Sequence, residues 1–319
     1  ILVDRARRMT DPSQMHTLTL GFEEFRGSEN DETLWARKNA SDMCVKNKQV
    51  FLNEKDTDLL IEKYFLSMDQ PTLDGFNTFL ISYLASINEF KVSISGLGAD
   101  EFFQGYPTFR QIKVLLSIKK YLPFNNLIWR CAIALMYIVG VIAKNEKLKQ
   151  LRSFNLDIID LFILRRAYNL SEVSKLNEIN LDYYRNYMKE IIGSETNVTE
   201  TLRKLESGIY MRNQLLRDTD WASMNNSHEI RVPFLDKLFL RDLRSLEKES
   251  GKFLQKNALK PLFSSAISKK FLARPKTGFS TPLRSKIEKK YKTRFETRAA
   301  WSAFVLEQYL KNWSVKCHK

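Results

Sequence analysis

Cysteine is scarce in this sequence, and the three residues, Cys44, Cys131 and Cys317, lie far apart. No CxxC pair or Cys/His cluster occurs, which argues against a disulfide framework or a structural zinc site. The longest apolar run, 131–143, is too short to span a bilayer comfortably. The helix predicted at 127–143 is therefore interpreted as buried or partner-facing, with a membrane-surface helix as the alternative. We expect a cytoplasmic protein without a membrane span.

Glycine and proline are also sparse, at 11 and 8 of 319 residues, so we expect no long flexible linker. Acidic residues are fewer than basic ones: 37 Asp and Glu against 51 Lys and Arg give a net charge of +14. A basic chain can bind nucleic acid, a membrane surface or anionic substrates. The basic residues are scattered and no nucleic-acid motif accompanies them, so the charge predicts solvated faces and no nucleic-acid partner.

The first hundred residues alternate between strand and helix patterns. The predicted strands are 16–20, 49–52 and 92–94, and the predicted helices are 1–9, 31–46, 56–68 and 76–88. This order predicts an α/β fold, a parallel sheet with flanking helices, in which ligands bind beyond the carboxyl ends of the strands. Gly21 and 95–100 follow such ends. From 111 to 210 the pattern is largely helical, which predicts an α-rich half.

The turn after the third predicted strand, Ser95–Glu101, reads Ser-Gly-Leu-Gly-Ala-Asp-Glu. Glycine lets a backbone approach a phosphate closely, and the carboxylate of Asp100 can hold a divalent cation against phosphate oxygens. Taken alone, such a turn is weak support for a nucleotide site.

A second motif begins in a predicted helix, 216–224, and continues into an extended segment that Pro233 fixes. Its charges stand in a partly apolar setting, and buried charges need partners. They are Asp220, Glu229, Arg231 and Asp236. An ion-pair network is the favoured interpretation for Arg231 and Asp236, and acidic groups beside a substrate amine or metal are the other. A third motif, 274–279, places Lys276 on a Pro/Gly loop, where it suits a phosphate.

In this order and at this separation, the three motifs resemble the synthetase domain of the asparagine synthase family. Weaker similarities at 20–22, 31–37 and 69–78 agree, and the resemblance runs from residue 1 to about 286. It implies a synthetase domain over 1–290, followed by a basic helical tail over 291–319. The implied fold is adenine nucleotide alpha-hydrolase-like, of the ATP-pyrophosphatase type, truncated at its first strand.

The family's reaction is the adenylation of a carboxylate by ATP, normally that of aspartate, followed by attack of ammonia from a glutaminase domain. The resemblance implies ATP and Mg²⁺ as cofactors, Asp100 as the metal ligand and Lys276 as the residue that stabilises phosphate charge. The residues it places around the nucleotide are Leu20, Gly21, Ser95, Gly96 and Gly98. A homodimer is also compatible with the resemblance.

Two departures from the family pattern shape the expectations. Leu97 stands between the glycines, where asparagine-forming members usually have Glu. Leucine cannot move a proton, so Glu101 or Glu229 is the candidate replacement and the acceptor need not be aspartate. The family's phosphate loop and glutaminase domain are absent from the sequence, so we expect a fragment that is inactive alone. The alternatives are a degenerate binding module and, on charge alone, a nucleic-acid-binding helical protein.

Overall fold

The computed structural model describes residues 1–121, 157–164, 181–262 and 297–317, together with Ala134, Ile138 and Ile287. The strands are β1 (His16–Phe22), β2 (Lys46–Leu52), β3 (Val92–Ile94) and β4 (Glu229–Arg231). The helices are α1 (Leu2–Ala6), α2 (Thr33–Asp42), α3 (Glu54–Ser67), α4 (Gly75–Ile87), α5 (Ala99–Phe102), α6 (Pro107–Tyr121), α7 (Ile158–Leu164), α8 (Leu181–Ile192), α9 (Val198–Leu205), α10 (Arg217–Met224), α11 (Lys237–Ser250) and α12 (Thr297–Cys317). A π-helix (Glu206–Leu216) precedes α10.

Both strand pairs of the described chain are parallel, as the alternating pattern predicts. β1 pairs with β2, with Leu20 opposite Val50, and β3 pairs with β4 over three residues. The structure is thus mixed α/β and rich in helix, with small parallel sheets. Most of the predicted apolar helix at 127–143 lies outside the described residues.

The described residues form two compact units. The first contains 1–98 with the described parts of 212–252 and 256–319, and the second contains the described parts of 99–211 with 253–255. The Ser95–Glu101 motif therefore begins in the first unit and ends in the second.

The core of the first unit is built around Tyr64 of α3, whose side chain is fully buried. Its ring contacts those of Phe65, Phe76, Phe79 and Trp221, with centroids 5.1–5.7 Å apart. Such aromatic pairs each add about 1 kcal/mol beyond the area they bury. Helix α12 also contributes Trp301 and Val305 to this core, while the predicted boundary at residue 290 stays a prediction.

Helix α3 begins where the sequence supplies a capping box. The Asn53 side chain accepts from the Asp56 backbone N–H, and the Asp56 carboxylate accepts from the Asn53 N–H. This reciprocal pair satisfies two donors that the first helical turn leaves free. The second unit has its own core, in which α6, α7, α8 and α9 bury Phe109, Phe162, Met188 and Leu205.

The helix predicted over 31–46 is shorter than expected. It ends at Asp42, and Cys44 has a φ of 57°, the left-handed conformation that commonly closes a helix. The chain then enters β2 at Lys46. Leu34 of α2 is 51% exposed, whereas Ala40 of the same helix and Met43 just after it are buried.

Candidate functional site

The carboxyl end of β1 carries the first predicted nucleotide residues, Leu20 and Gly21. Leu20 is half-buried against the core of the first unit. Gly21 is buried, and a Cβ there would lie 2.7 Å from both the Phe51 ring and the Thr33 methyl group. Close packing between β1, β2 and α2 therefore accounts for this glycine without a ligand.

The loop after β1 is organised by Asp31, which is 7% exposed. Its carboxylate accepts from the Gly27 N–H at 2.9 Å and from the N–H and hydroxyl of Thr33 at 2.9 and 2.6 Å. Burial alone would raise the pKa of Asp31, but these hydrogen bonds outweigh it and lower the pKa. The carboxylate fixes the start of α2 at the same edge as Leu20.

The turn after β3 holds the next predicted residues, Ser95, Gly96 and Gly98, in the first unit. The Ser95 N–H donates to the Arg231 carbonyl at 2.8 Å, which extends the β3–β4 pairing into the turn. The Leu97 N–H donates to the Ser95 hydroxyl at 3.3 Å. Backbone and side chain of Ser95 thus define where the turn starts.

The two glycines of this turn differ in their surroundings. Gly98 is buried with a φ of +95°, and a Cβ there would meet the Leu235 side chain at 2.5 Å. Gly96 is exposed, has no left-handed φ, and would place a Cβ in open space with no atom of the described residues within 4 Å. Folding requires glycine at 98, whereas no contact within the described chain requires it at 96.

In the second unit, Asp100 and Glu101 lie on α5 in different environments. Asp100 is half-buried, and its carboxylate lies against the backbone at Gly105, where a Cβ would be 2.0 Å from Oδ1. Glu101 is 1% exposed and accepts from the Tyr106 hydroxyl at 2.6 Å. Burial, aided by the Glu101 charge, raises the pKa of Tyr106 well above its ordinary value, which keeps the phenol a donor.

Glu229 lies on β4, which pairs with β3 ahead of the turn. Its carboxylate accepts from Arg231 Nε at 2.7 Å, and both side chains are more than half exposed. Asp236 caps α11 by accepting from the Leu238 and Phe239 N–H groups at 2.9 and 3.1 Å, and it forms no ion pair with another described residue. The expectation that these charges lie in an apolar setting is wrong.

A buried cluster that the sequence analysis missed lies between α10 and the segment that leads into α4. The Asp218 carboxylate, 2% exposed, accepts from the Thr72 hydroxyl and from Trp221 Nε1. Burial raises the pKa of Asp218 to about 6 although the two hydrogen bonds lower it, and the nearby Asp74 charge adds a smaller increase. Asp74 in turn accepts from Gln214 at 2.6 Å. The two segments, 69–78 and 216–224, both resemble the family, but no spacing rule pairs residues 146 positions apart.

Lys276, the predicted phosphate-stabilising residue, lies outside the described residues. Within the part of the chain that the structure describes, no group of three or more His, Cys, Asp or Glu side chains is arranged to hold a metal ion. No helix among those same residues is long and apolar enough to cross a membrane.

A profile of the asparagine synthase family matches residues 1–316, so the chain belongs to that family. It is similar to the glutamine-hydrolysing asparagine synthetase 1 of Bacillus subtilis strain 168, with 25% identity over 285 residues, 85% of this chain and 43% of that protein. It is also similar to asparagine synthetase 3 of the same organism, with 25% identity over 233 residues, 70% of this chain and 32% of that protein. The chain spans less than half the length of these relatives.

Proposed function

We propose that this protein is an ATP-dependent ligase that activates a carboxylate and converts it to an amide with ammonia derived from glutamine. The acceptor is aspartate or a related carboxylic acid, and a glutaminase domain supplies the ammonia. Family membership supports this proposal, as do the names of the relatives, both of which are glutamine-hydrolysing asparagine synthetases.

The proposal includes the ATP-pyrophosphatase type of fold. Two parallel strand pairs with adjoining helices are compatible with it, and the Ser95–Gly98 turn follows the carboxyl end of β3, where ligands bind in parallel sheets. In this arrangement, Leu20, Gly21, Ser95, Gly96 and Gly98 surround the adenosine part of ATP.

Gly96 is the observation that carries the proposal. Its exposure and the open space at its Cβ position leave room for a ligand to lie directly against the backbone. A side chain there would occupy that room, so the residue fits close approach of a nucleotide. Two residues later, Gly98 holds the turn by its own conformational requirement.

Asp100 fits the role of magnesium ligand, because it is a half-buried carboxylate held against Gly105. When bound, ATP supplies the adenylyl group that activates the carboxylate, and Mg²⁺ neutralises phosphate charge. Lys276 would add a fixed positive charge for the phosphates.

Proton handling falls to Glu229 or Glu101, since Leu97 carries no ionisable group. Of the two, Glu229 is the better candidate, because it is exposed and Arg231 orients it. Glu101 is buried and already accepts from Tyr106. We assign Glu229 the role of receiving a proton from the attacking ammonia. Glu101 is assigned the role of anchoring α5, the helix that carries Asp100, through its hydrogen bond from Tyr106.

The test compares two glycine variants, made in the complete translation product of the gene, for Mg²⁺-dependent ATP binding by calorimetry. Gly96→Ala adds a methyl group in open space, so it should leave the melting temperature unchanged and weaken ATP binding about tenfold, about 1.4 kcal/mol. Gly251→Ala is the matched control: its φ of +63° makes alanine cost about 1 kcal/mol of stability, while ATP binding should be unaffected. Equal ATP affinity in Gly96→Ala and the unaltered chain would contradict the proposal.

A second candidate function is a binding module that has lost catalysis. Leu97 favours it, as does the engagement of Glu101 with Tyr106. A module of this kind would bind ATP without releasing pyrophosphate in the presence of glutamine and any carboxylate acceptor, whereas the ligase would release it.

A further inference from the structure

We propose that His228 is a positioning residue that holds the Ser95–Gly98 turn in place for nucleotide binding. This inference rests on the proposed function. His228 lies immediately before β4, its ring is 1% exposed, and both ring nitrogens are hydrogen-bonded to the β3 segment.

The β3–β4 pair gains little from apolar burial. It is three residues long, and Val92 and Ile94 of β3 are 43% and 59% exposed. A short parallel pair without a well-buried face has a weakly specified register. Something other than packing must therefore fix β3, and with it the turn that follows.

His228 supplies that restraint through contacts at two positions of the neighbouring segment. Nδ1 lies 2.8 Å from the Phe90 carbonyl oxygen, just ahead of β3, and Nε2 lies 2.8 Å from the Ser93 hydroxyl, within β3. A carbonyl oxygen only accepts, so Nδ1 carries the hydrogen, and in the neutral ring Nε2 accepts from Ser93. The two contacts together permit one alignment of Phe90 and Ser93.

The His228 backbone fixes the ring from the other side. Its N–H donates to the Ser223 carbonyl at 3.1 Å, near the end of α10, and Ser227 before it has a φ of 52°. The histidine is thus attached to a buried helix rather than to a mobile loop. A shift of β3 by one residue would break both ring contacts and move the turn by about 3.3 Å, enough to misplace Gly96.

The first part of the test needs no ligand. In ¹⁵N NMR of the full chain, Nδ1 of the His228 ring should carry a hydrogen that is bonded to the Phe90 carbonyl oxygen. His228→Leu should shift the amide resonances of Ser95–Gly98 and speed their hydrogen exchange. The matched control is Asn226→Ala, which removes a nearby side chain that donates to the Phe79 and Ala222 carbonyls at 3.4 and 2.9 Å. It should lower the melting temperature without altering the turn.

The second part measures ATP affinity in the same proteins. His228→Leu should weaken ATP binding about tenfold, and Asn226→Ala should leave it unchanged. His228→Asn, which keeps a donor for Phe90, and His228→Gln, which keeps an acceptor for Ser93, should each restore part of the loss. Wherever turnover is measurable, the KM for ATP should rise while kcat changes little.

The outcomes separate the two claims. Unchanged turn resonances in His228→Leu, or an equal loss of ATP affinity in Asn226→Ala, would overturn the positioning role while leaving the proposed function intact. Absence of ATP binding by the complete translation product of the gene would overturn the proposed function and, with it, the purpose assigned to His228.

Discussion

Removal of the buried charge at Asp218 should stabilise the protein at neutral pH. In Asp218→Asn the amide oxygen can still accept from Trp221 Nε1, and the amide N–H can donate to the Thr72 hydroxyl, which turns to accept. Both contacts of the native carboxylate are thereby kept, whereas the cost of holding a charge at a site 2% exposed is removed.

The magnitude follows from the pKa of Asp218, which rises to about 6 in the folded protein from roughly 4 in an unfolded chain. Two pKa units correspond to about 3 kcal/mol. Because the folded state binds the proton more tightly, the penalty is absent below about pH 4, grows as the pH rises to about 6 and is complete above it. The nearby Asp74 charge contributes to the raised pKa of Asp218.

Urea unfolding at pH 4, 5, 6 and 7 tests this reasoning. We expect Asp218→Asn to match the unaltered protein at pH 4 and to exceed its free energy of unfolding by about 3 kcal/mol at pH 7. Asp220→Asn is the matched control, because it removes the same charge from an exposed site of the same helix. A stability difference between Asp218→Asn and the unaltered protein that stays constant with pH would refute the account of the cluster.

Three further variants probe the loops around the proposed site. Gly105→Ala should push the Asp100 carboxylate away, because the new Cβ would lie 2.0 Å from Oδ1. In a Mg²⁺ titration, the Mg²⁺ concentration needed for half-maximal ATP binding should then rise about tenfold. Asp31→Ala should cost about 1–2 kcal/mol in chemical denaturation, since it removes the carboxylate that accepts from the Thr33 N–H at the start of α2. Gly98→Ala should cost more than 2 kcal/mol, from its φ of +95° and its 2.5 Å contact with Leu235, and adding Leu235→Ala should restore only part of the melting temperature.

Prediction from the sequence was most accurate where hydrophobic periodicity agreed with the capping and turn residues that bound each element. The third strand, 92–94, was predicted to the residue, and the α3 and α4 boundaries differ by one or two positions. Alternation of short strands with helices correctly predicted parallel pairing. These features arise from local side-chain spacing and from capping residues such as Asn53, so they can be predicted from the sequence.

Features that depend on long-range contacts or on unusual backbone conformations could not be predicted from the sequence. Leu59 and Leu60 look equivalent in sequence, but Leu59 is 64% exposed and Leu60 is 5% exposed, because only one faces the core. The end of α2 was missed because Cys44 adopts a left-handed conformation without glycine. The ring contacts of His228 and the Thr72–Asp218 bond join segments more than 130 residues apart.

The predicted site residues remain predictions, and the structure arranges several of them informatively. Gly21 and Gly98 have packing or conformational reasons to be glycine, whereas Gly96 has open space instead. From composition and spacing alone the three are interchangeable. Only the surroundings of each position separate a glycine that folding requires from one that suits a ligand.

The most direct test of the central claim is pyrophosphate release from ATP by the complete translation product of the gene, with Mg²⁺, glutamine and a panel of carboxylate acceptors, aspartate first. The account predicts release that depends on one acceptor and falls when Asp100 is changed to Asn. Release that ignores every acceptor, or no release with any of them, would contradict it.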